Sequence, residues 1–208
     1  MKKNIALLPI QERYEHLFAV ISGGRFLRME GLNNEVPFFI CPFKPEEALV
    51  METMQRQLSN SLANAGVTVL NLNLYDLSIE MLQERGIWEQ VLEIESSISK
   101  DELKELLQGV LDPETNLIPA IEQKMQQAEF DVMFVSGVGE VFPYIRSHNV
   151  LNNLQRAAKH QPTVMFFPGV YTQNFGEGSS LDLFNRLHDD KYYRGFNIYH
   201  IEPETERE

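Results

Sequence analysis

Cysteine is nearly absent from this sequence, and so are long apolar stretches. The 208 residues include one cysteine, Cys41, so the chain cannot form an internal disulfide. Such cysteine usage suits a reducing compartment. No run approaches the roughly 18 apolar residues of a membrane span, and the N-terminus lacks the apolar core of a signal peptide. We therefore expect a soluble, cytoplasmic protein that does not enter a membrane.

Positive charge is also scarce. Lys and Arg number 18 against 30 Asp and Glu, which gives a net charge of -12. Proteins that bind a nucleic-acid backbone usually present a basic face, whereas a summed negative field repels phosphate at long range. We expect no direct nucleic-acid binding by the isolated chain.

Familiar catalytic signatures are missing. The sequence contains no G-x-x-x-x-G-K-[ST] phosphate loop, no G-x-S-x-G nucleophile turn, no H-E-x-x-H and no paired CxxC. His188 stands beside Asp189 and Asp190, but one histidine with two neighbouring acids is not a recognised metal-ligand spacing. The sequence therefore predicts no catalytic residue, no metal and no cofactor.

What the sequence does contain is an alternation of short apolar runs and helical patterns. Five runs have the length and composition of strands: residues 36–41, 67–72, 131–135, 163–167 and 196–201. Helical patterns cover residues 11–21, 45–65, 78–95, 99–111, 112–127 and 147–159. Strands separated by helices predict an α/β fold, a mostly parallel five-stranded sheet with helices on both faces.

Local signals set the expected boundaries. Pro42 and Pro168 are predicted to end the first and fourth strands. Ser99 and Glu102 form a capping-box pattern at a helix start. In the second helix, apolar side chains recur every three or four residues and predict one buried stripe: Met51, Met54, Leu58, Leu62 and Ala65.

The chain shows no internal repeat and no low-complexity linker. We expect one domain over residues 1–208, with flexible ends at about 1–7 and 203–208. Residues 172–180 are polar and glycine-containing, which predicts an exposed loop. No clear helix follows the fourth strand, although 181–187 could form a short one, so the last strand could be an antiparallel edge.

Candidate ligand contacts follow the third strand, because ligands of parallel sheets bind beyond the carboxyl ends of the strands. The loop after the first strand contains two prolines, two glutamates and no glycine, and it is predicted to be a plain turn. The segment after the third strand begins as G-x-G. Its candidate pocket residues are Gly137, Gly139, Glu140, Arg146 and His148. The same segment also fits a tight turn followed by a helix cap at Ser147 or Asn149, and both interpretations remain open.

A candidate partner interface follows the fourth strand. Tyr192, Tyr193 and Arg194 are residue types typical of protein interfaces, and Asp189 and Asp190 precede them. These residues equally fit a cover over the end of the sheet.

Two segments carry a resemblance to a known family: residues 136–154, SGVGEVFPYIRSHNVLNNL, and residues 162–198, chiefly PTVMFFPGVY and LDLFNRLHDDKYYRGFNI. Together they resemble the BrxB family, a small component of bacterial BREX (bacteriophage exclusion) defence systems. The family pattern differs at three positions of the second segment. We expect glycine where Asn185 stands, asparagine where Lys191 stands and alanine where Gly195 stands.

The resemblance implies a role in phage defence beside a large ATPase, a DNA methyltransferase and a PglZ-like protein of the alkaline-phosphatase superfamily. It implies no catalytic residues, because the family has no established reaction. A degenerate P-loop-NTPase-like core, lacking the phosphate-binding loop, is one form that the sheet could take.

These expectations combine into one functional prediction and one alternative. We predict a non-catalytic adaptor or scaffold that contacts other BREX proteins. The PglZ-like protein and the large ATPase are the partners that we expect before any other. The alternative is a nucleotide- or small-ligand-binding protein, with or without enzymatic activity, that uses the loop after the third strand.

Overall fold

The computed structural model describes residues 4–31, 36–174, 178–187, 190–191 and 195–204. The strands in these ranges are β1 (Phe38–Phe43), β2 (Val69–Asn73), β3 (Val132–Ser136), β4 (Thr163–Asn174), β5 (Gly178–Leu183), β6 (Asp190–Lys191) and β7 (Phe196–Asn197). The α-helices are α1 (Ile10–Ile21), α2 (Gly24–Leu27), α3 (Ala48–Asn64), α4 (Leu74–Glu84), α5 (Trp88–Glu95), α6 (Lys100–Val110), α7 (Ile118–Gln127) and α8 (Ser147–Ala157). Single turns of 3₁₀ or π helix complete the described structure: Ile5–Leu7, Pro45–Glu47, Pro113–Leu117 and Ile198–His200.

The sheet is mostly parallel, as predicted. Its five parallel strands lie in the order β2-β3-β4-β1-β7. Two further strands, β5 and β6, extend it as an antiparallel hairpin on the far half of β4. The sheet therefore has seven strands in the described residues rather than the five predicted, and the fold class is the predicted α/β.

Alternate residues of the central strands supply two apolar cores, one on each face of the sheet. Phe38 and Ile40 belong to the core that α4, α7 and α8 cover. Phe39 and Cys41 belong to the core under α1 and α3. The predicted placement of helices on both faces is thus confirmed.

Two predicted strand ends are wrong. β1 runs through Pro42 to Phe43, and β4 runs through Pro168 to Asn174. Proline has no N–H to donate to a neighbouring strand, but β1 pairs with β7 only at Phe39 and Ile40. Pro42 lies beyond this pairing, so it interrupts no hydrogen bonds between β1 and β7. The continuation of β4 pairs with β5, which makes the described parts of residues 172–180 strand rather than exposed loop.

The last strand and the predicted helix near 181–187 also differ. β7, the last strand, pairs with β1 in parallel, so the expectation that it forms an antiparallel edge is wrong. The strand is short because Ile198–His200 turns into a 3₁₀ helix, which buries Tyr199 against the α1 and α3 core. Leu181 and Leu183 are buried in β5, where alternation rather than helical spacing places them.

Most helix predictions agree with the structure. The capping box is confirmed: the Ser99 side chain accepts from the Glu102 N–H, and Glu102 accepts from the Ser99 N–H at 2.8 Å. The buried stripe of α3 is confirmed at Met51, Met54, Leu58 and Leu62, but Ala65 is exposed beyond the helix end. The helix predicted over 78–95 is two helices, α4 and α5, and begins four residues earlier.

Candidate functional site

The carboxyl ends of β1, β2 and β3 and the middle of β4 surround a cleft of about 600 Å³. The first half of α3 forms one wall and the start of α4 forms the opposite wall. The turn after β3 and the side chains of Pro168 and Phe184 contribute the remaining surface. This position is where parallel α/β sheets bind ligands and partners.

Apolar side chains on the α3 wall remain exposed to solvent. Met51 and Met54 turn inward to the core, which leaves Leu49 and Val50 off the buried stripe. Leu49 is 80% exposed and lines the cleft, and Val50 beside it is 50% exposed. Neither contributes to the core of the described protein, so burial by a partner would remove apolar surface from water.

The α4 wall is fixed by the side chain of Asn73, the last residue of β2. Its Oδ1 accepts hydrogen bonds from the N–H groups of Tyr75 at 2.8 Å and Asp76 at 3.3 Å. This cap satisfies two of the amides that a helix start leaves unpaired. It therefore holds the partly exposed Tyr75 and the carboxylate of Asp76 on the cleft.

The turn after β3 places Gly137, Gly139 and Glu140 on the same cleft. Gly137 has a φ of 75°, and a Cβ there would overlap the side chain of Asn73. A Cβ on Gly139 would lie 2.9 Å from the ring of Phe184. The protein's own side chains thus occupy the space that both glycines leave, and that space is not free for the close approach of a phosphate.

The described lining of the cleft is acidic. It includes Glu52, Asp76 and Glu140, and it includes no Lys, Arg or His. Partial burial, followed by the negative charges of Asp76 and Glu52, raises the pKa of the Glu140 carboxyl above its ordinary value. The cleft consequently disfavours anions and favours positively charged groups.

The remaining two residues of the predicted pocket lie elsewhere. Arg146 is exposed at the N-cap of α8, and His148 is buried in the first turn of that helix. Neither lines the cleft, so the structure brings together only three of the five predicted residues. Ser147 begins the helix, and Arg146 rather than Ser147 or Asn149 occupies the cap position.

The predicted partner interface falls largely outside the described residues. Asp189, Tyr192, Tyr193 and Arg194 are not among them. Asp190 is described only through its backbone, which pairs with Ser180 in the β5–β6 ladder.

The single cysteine is buried, and the described part of the chain contains no metal cluster. Cys41 is fully buried, and burial raises the pKa of its thiol to about 12. A thiol in that state is almost entirely protonated near neutral pH and is a poor nucleophile. Among the described residues, no group of three or more His, Cys, Asp or Glu is placed to hold a metal ion. None of the described helices is both long enough and apolar enough to cross a bilayer.

Leu49, Glu52, Tyr75 and Asp76 contribute to the cleft although the sequence prediction did not include them. One signal was available: Leu49 lies off the buried stripe of α3 and so had to face elsewhere. No such signal existed for Tyr75 and Asp76. Their position depends on where α4 begins, and the Asn73 cap sets that point.

Similarity to known proteins is concentrated in one family. The family model described as "BREX protein BrxB" matches residues 70–198. A BREX protein BrxB of Bacillus cereus (strain H3081.97) is 34% identical over 196 residues, covering 91% of this chain and 97% of that protein. A BREX protein BrxB of Escherichia coli O9:H4 (strain HS) is 28% identical and covers 91% and 92%. No solved structure matches the chain.

Proposed function

This chain belongs to the BrxB family of BREX proteins, and on that basis we propose that it acts as a non-catalytic adaptor or scaffold in a BREX-type anti-phage defence complex. The chemistry of the cleft carries the proposal. Exposed apolar side chains and carboxylates meet there, without a cation in the described lining. Such a surface suits a protein partner, whereas phosphate chemistry needs cations or a cradle of backbone amides.

We expect the partner among the other BREX proteins, first the PglZ-like protein or the large ATPase. The net charge of -12 is complementary to a basic partner surface and speeds its association. The same charge disfavours direct contact with DNA by this chain alone. The partner, rather than this subunit, would then supply any contact with nucleic acid.

Affinity purification of the tagged chain from its own host tests the proposal. We expect another BREX protein to co-purify in stoichiometric amount at about 150 mM salt, a concentration that leaves close charge pairs effective. Recovery of the chain alone at every salt concentration from low to physiological would contradict the adaptor function. A tagged chain from a strain that lacks the other BREX genes is the control for unspecific capture.

A second surface is proposed from the sequence alone. Tyr192, Tyr193 and Arg194 have the chemistry of interface anchors. Tyr193→Ala and Arg194→Ala should each reduce both partner capture and phage defence, while Arg156→Ala, at an exposed position of α8, should not. If both variants fold normally and leave capture and defence unchanged, these residues do not anchor the partner.

A small-ligand function is the second candidate, and the size of the cleft favours it. Sites for small molecules commonly enclose about 300–1,000 Å³, and this cleft holds about 600 Å³. A ligand that binds only the folded chain must raise its melting temperature. A thermal-shift screen with ATP, ADP, AMP and GTP, with and without Mg²⁺, should produce no shift if the adaptor proposal is right. A reproducible, concentration-dependent rise would favour the ligand function.

A further inference from the structure

The walls of the cleft face each other with matched chemistry. Leu49 on α3 and Tyr75 on α4 are both exposed, at 80% and 40%, and both line the opening. Phe43 and Phe184 add apolar surface between them. Exposed apolar side chains that converge on one concave surface are typical of interaction sites, whereas scattered ones carry no such meaning.

Carboxylates accompany this apolar surface on both walls. Glu52 lies in the second turn of α3, Asp76 in the first turn of α4, and Glu140 in the turn after β3. Among the described residues, no Lys, Arg or His lines the cleft, although Arg56, just outside it on α3, pairs with Glu52 at 3.3 Å. The remaining negative charge, chiefly that of Asp76 and Glu140, makes the cleft complementary to a cationic group that arrives from outside.

We propose that the cleft is a docking groove for a segment of another BREX protein in which a Lys or Arg stands beside a large apolar residue. The inference rests on the proposed adaptor function and names the chemistry of its partner. The apolar side chain packs against Leu49 and Tyr75, and the cation lies among the carboxylates of Glu52, Asp76 and Glu140.

Other occupants fit the cleft less well. A nucleotide would bring phosphate charge to an acidic surface whose glycine turn is already filled by Asn73 and Phe184. A second copy of this chain would bring a net charge of -12 to the same surface. A basic, apolar segment is the occupant that both the exposure and the charge favour.

The direct probe is a set of overlapping 15-residue peptides that covers the other BREX proteins of the same operon. The full-length, fluorescently labelled chain is bound to this set. We expect the retained peptides to share a Lys or Arg within two residues of Leu, Ile, Met, Phe or Trp. Their retention should weaken severalfold between 50 and 500 mM salt, because added salt screens the charge contacts.

Matched variants assign the binding to the cleft. Leu49→Ala should raise the dissociation constant of the best peptide about tenfold, as loss of an interface anchor does. Leu92→Ala, at a leucine that is 45% exposed on α5, should leave it unchanged. Glu52→Lys should weaken binding about tenfold at low salt, whereas Glu105→Lys on α6 changes the net charge equally and should have little effect. All four positions are solvent-exposed or partly so, and equal melting temperatures will verify that the variants fold.

The outcomes separate this inference from the adaptor function. If no peptide is retained, if the retained peptides are acidic, or if the cleft variants bind as well as the wild type, the docking groove is refuted. Co-purification of a whole BREX protein in those cases would still support an adaptor that uses another surface. If whole BREX proteins also fail to co-purify, the adaptor function fails as well.

Discussion

Cys41 forms a buried polar contact on the face of the sheet that α1 and α3 cover. Its thiol donates to the hydroxyl of Tyr199 at 3.3 Å, and both side chains are buried. Burial raises the pKa of Cys41 to about 12, and burial also raises the pKa of Tyr199. Both groups are therefore neutral in the folded protein at any physiological pH.

The thiol of Cys41 should be unreactive in the native protein. We expect a disulfide reagent such as DTNB at pH 8 to label the folded chain only as fast as it unfolds, because the thiol is neither exposed nor ionised. In 6 M guanidinium chloride, a concentration that unfolds typical domains, the single thiol should react rapidly. Rapid stoichiometric labelling of the native chain would contradict the burial of Cys41.

The same thiol should make the protein less stable at alkaline pH. The pKa is raised from 9.0 to about 12 on folding, so its contribution is complete below about pH 9 and is lost as pH rises from 9 toward 12. Urea unfolding of the wild type and Cys41→Ala at pH 8, 9 and 10 measures this effect. We expect the difference in unfolding free energy between them to shrink with pH. A constant difference would mean that ionisation of Cys41 is not coupled to unfolding.

Arg13 depends on Glu47 for its buried charge. The guanidinium Nη1 lies 2.9 Å from the Glu47 carboxylate, with 4% of the arginine side chain and 30% of the glutamate side chain exposed. Glu47→Ala should lower the free energy of unfolding by about 1–3 kcal/mol, because it leaves a buried cation without its partner in a site only partly shielded from water. Glu46→Ala, on the same turn but exposed, should change it by less than about 0.5 kcal/mol. If urea unfolding shows that both variants lose the same free energy of unfolding, the ion pair between Arg13 and Glu47 contributes no specific stability.

At the scale of elements, Gly137, directly after β3, lies against Asn73, the residue that caps α4. A side chain at its φ of 75° would strain the backbone and displace Asn73 from the cap that begins the helix. Gly137→Ala should therefore cost about 2–4 kcal/mol, the sum of backbone strain and a lost cap. Gly66→Ala has the same strain, at a φ of 84°, but its Cβ would meet nothing within 4 Å, and it should cost about 1–2 kcal/mol. Urea unfolding that gives equal losses for both variants would argue against the contact with Asn73.

The elements predicted correctly are those whose signal is local. The buried stripe of α3 and the capping box of Ser99 and Glu102 depend on residues within a few positions of one another. The hairpin of β4 and β5 depends instead on pairing across the chain, and Pro168-Gly169 suggests an end when viewed alone. Gly169 is needed because a Cβ there would overlap the carbonyl oxygen of Asp182 on β5. That contact exists only after the hairpin forms, so local pattern could not reveal it.

The residues of the candidate site also divide into those that a local signal predicted and those that depend on how distant elements pack. Gly137, Gly139 and Glu140 follow a strand, and the rule that ligands bind at strand ends was enough to place them near the cleft. Arg146 and His148 are only a few residues further along, but the turn of 138–145 and the start of α8 carry them off the cleft lining. The stripe of α3 indicates that Leu49 faces away from the core, but not that it lines the cleft. The place of Leu49 and Tyr75 on one cleft depends on how α3 and α4 pack on the sheet, and a single sequence does not contain this information.

At the scale of the whole molecule, the two apolar cores share one sheet. Phe39 and Ile40 are neighbours in β1, and they belong to opposite cores. The chain also crosses the sheet from β1 to β2 at its far edge and returns through β3 and β4 before β7 pairs with β1. Neither core can lose its strands without exposing the other, and this connectivity supports the expectation of a single domain.

Such coupling should make unfolding cooperative. Trp88, the only tryptophan of the sequence, packs against the core covered by α4, so its fluorescence reports on one face of the sheet. Far-UV circular dichroism reports on helices of both faces. We expect the two signals to follow the same urea transition, with equal midpoints, because a single cooperative unit has no stable half-folded state. If fluorescence and dichroism instead separate into two transitions, the α1 and α3 face unfolds independently and the chain contains more than one folding unit.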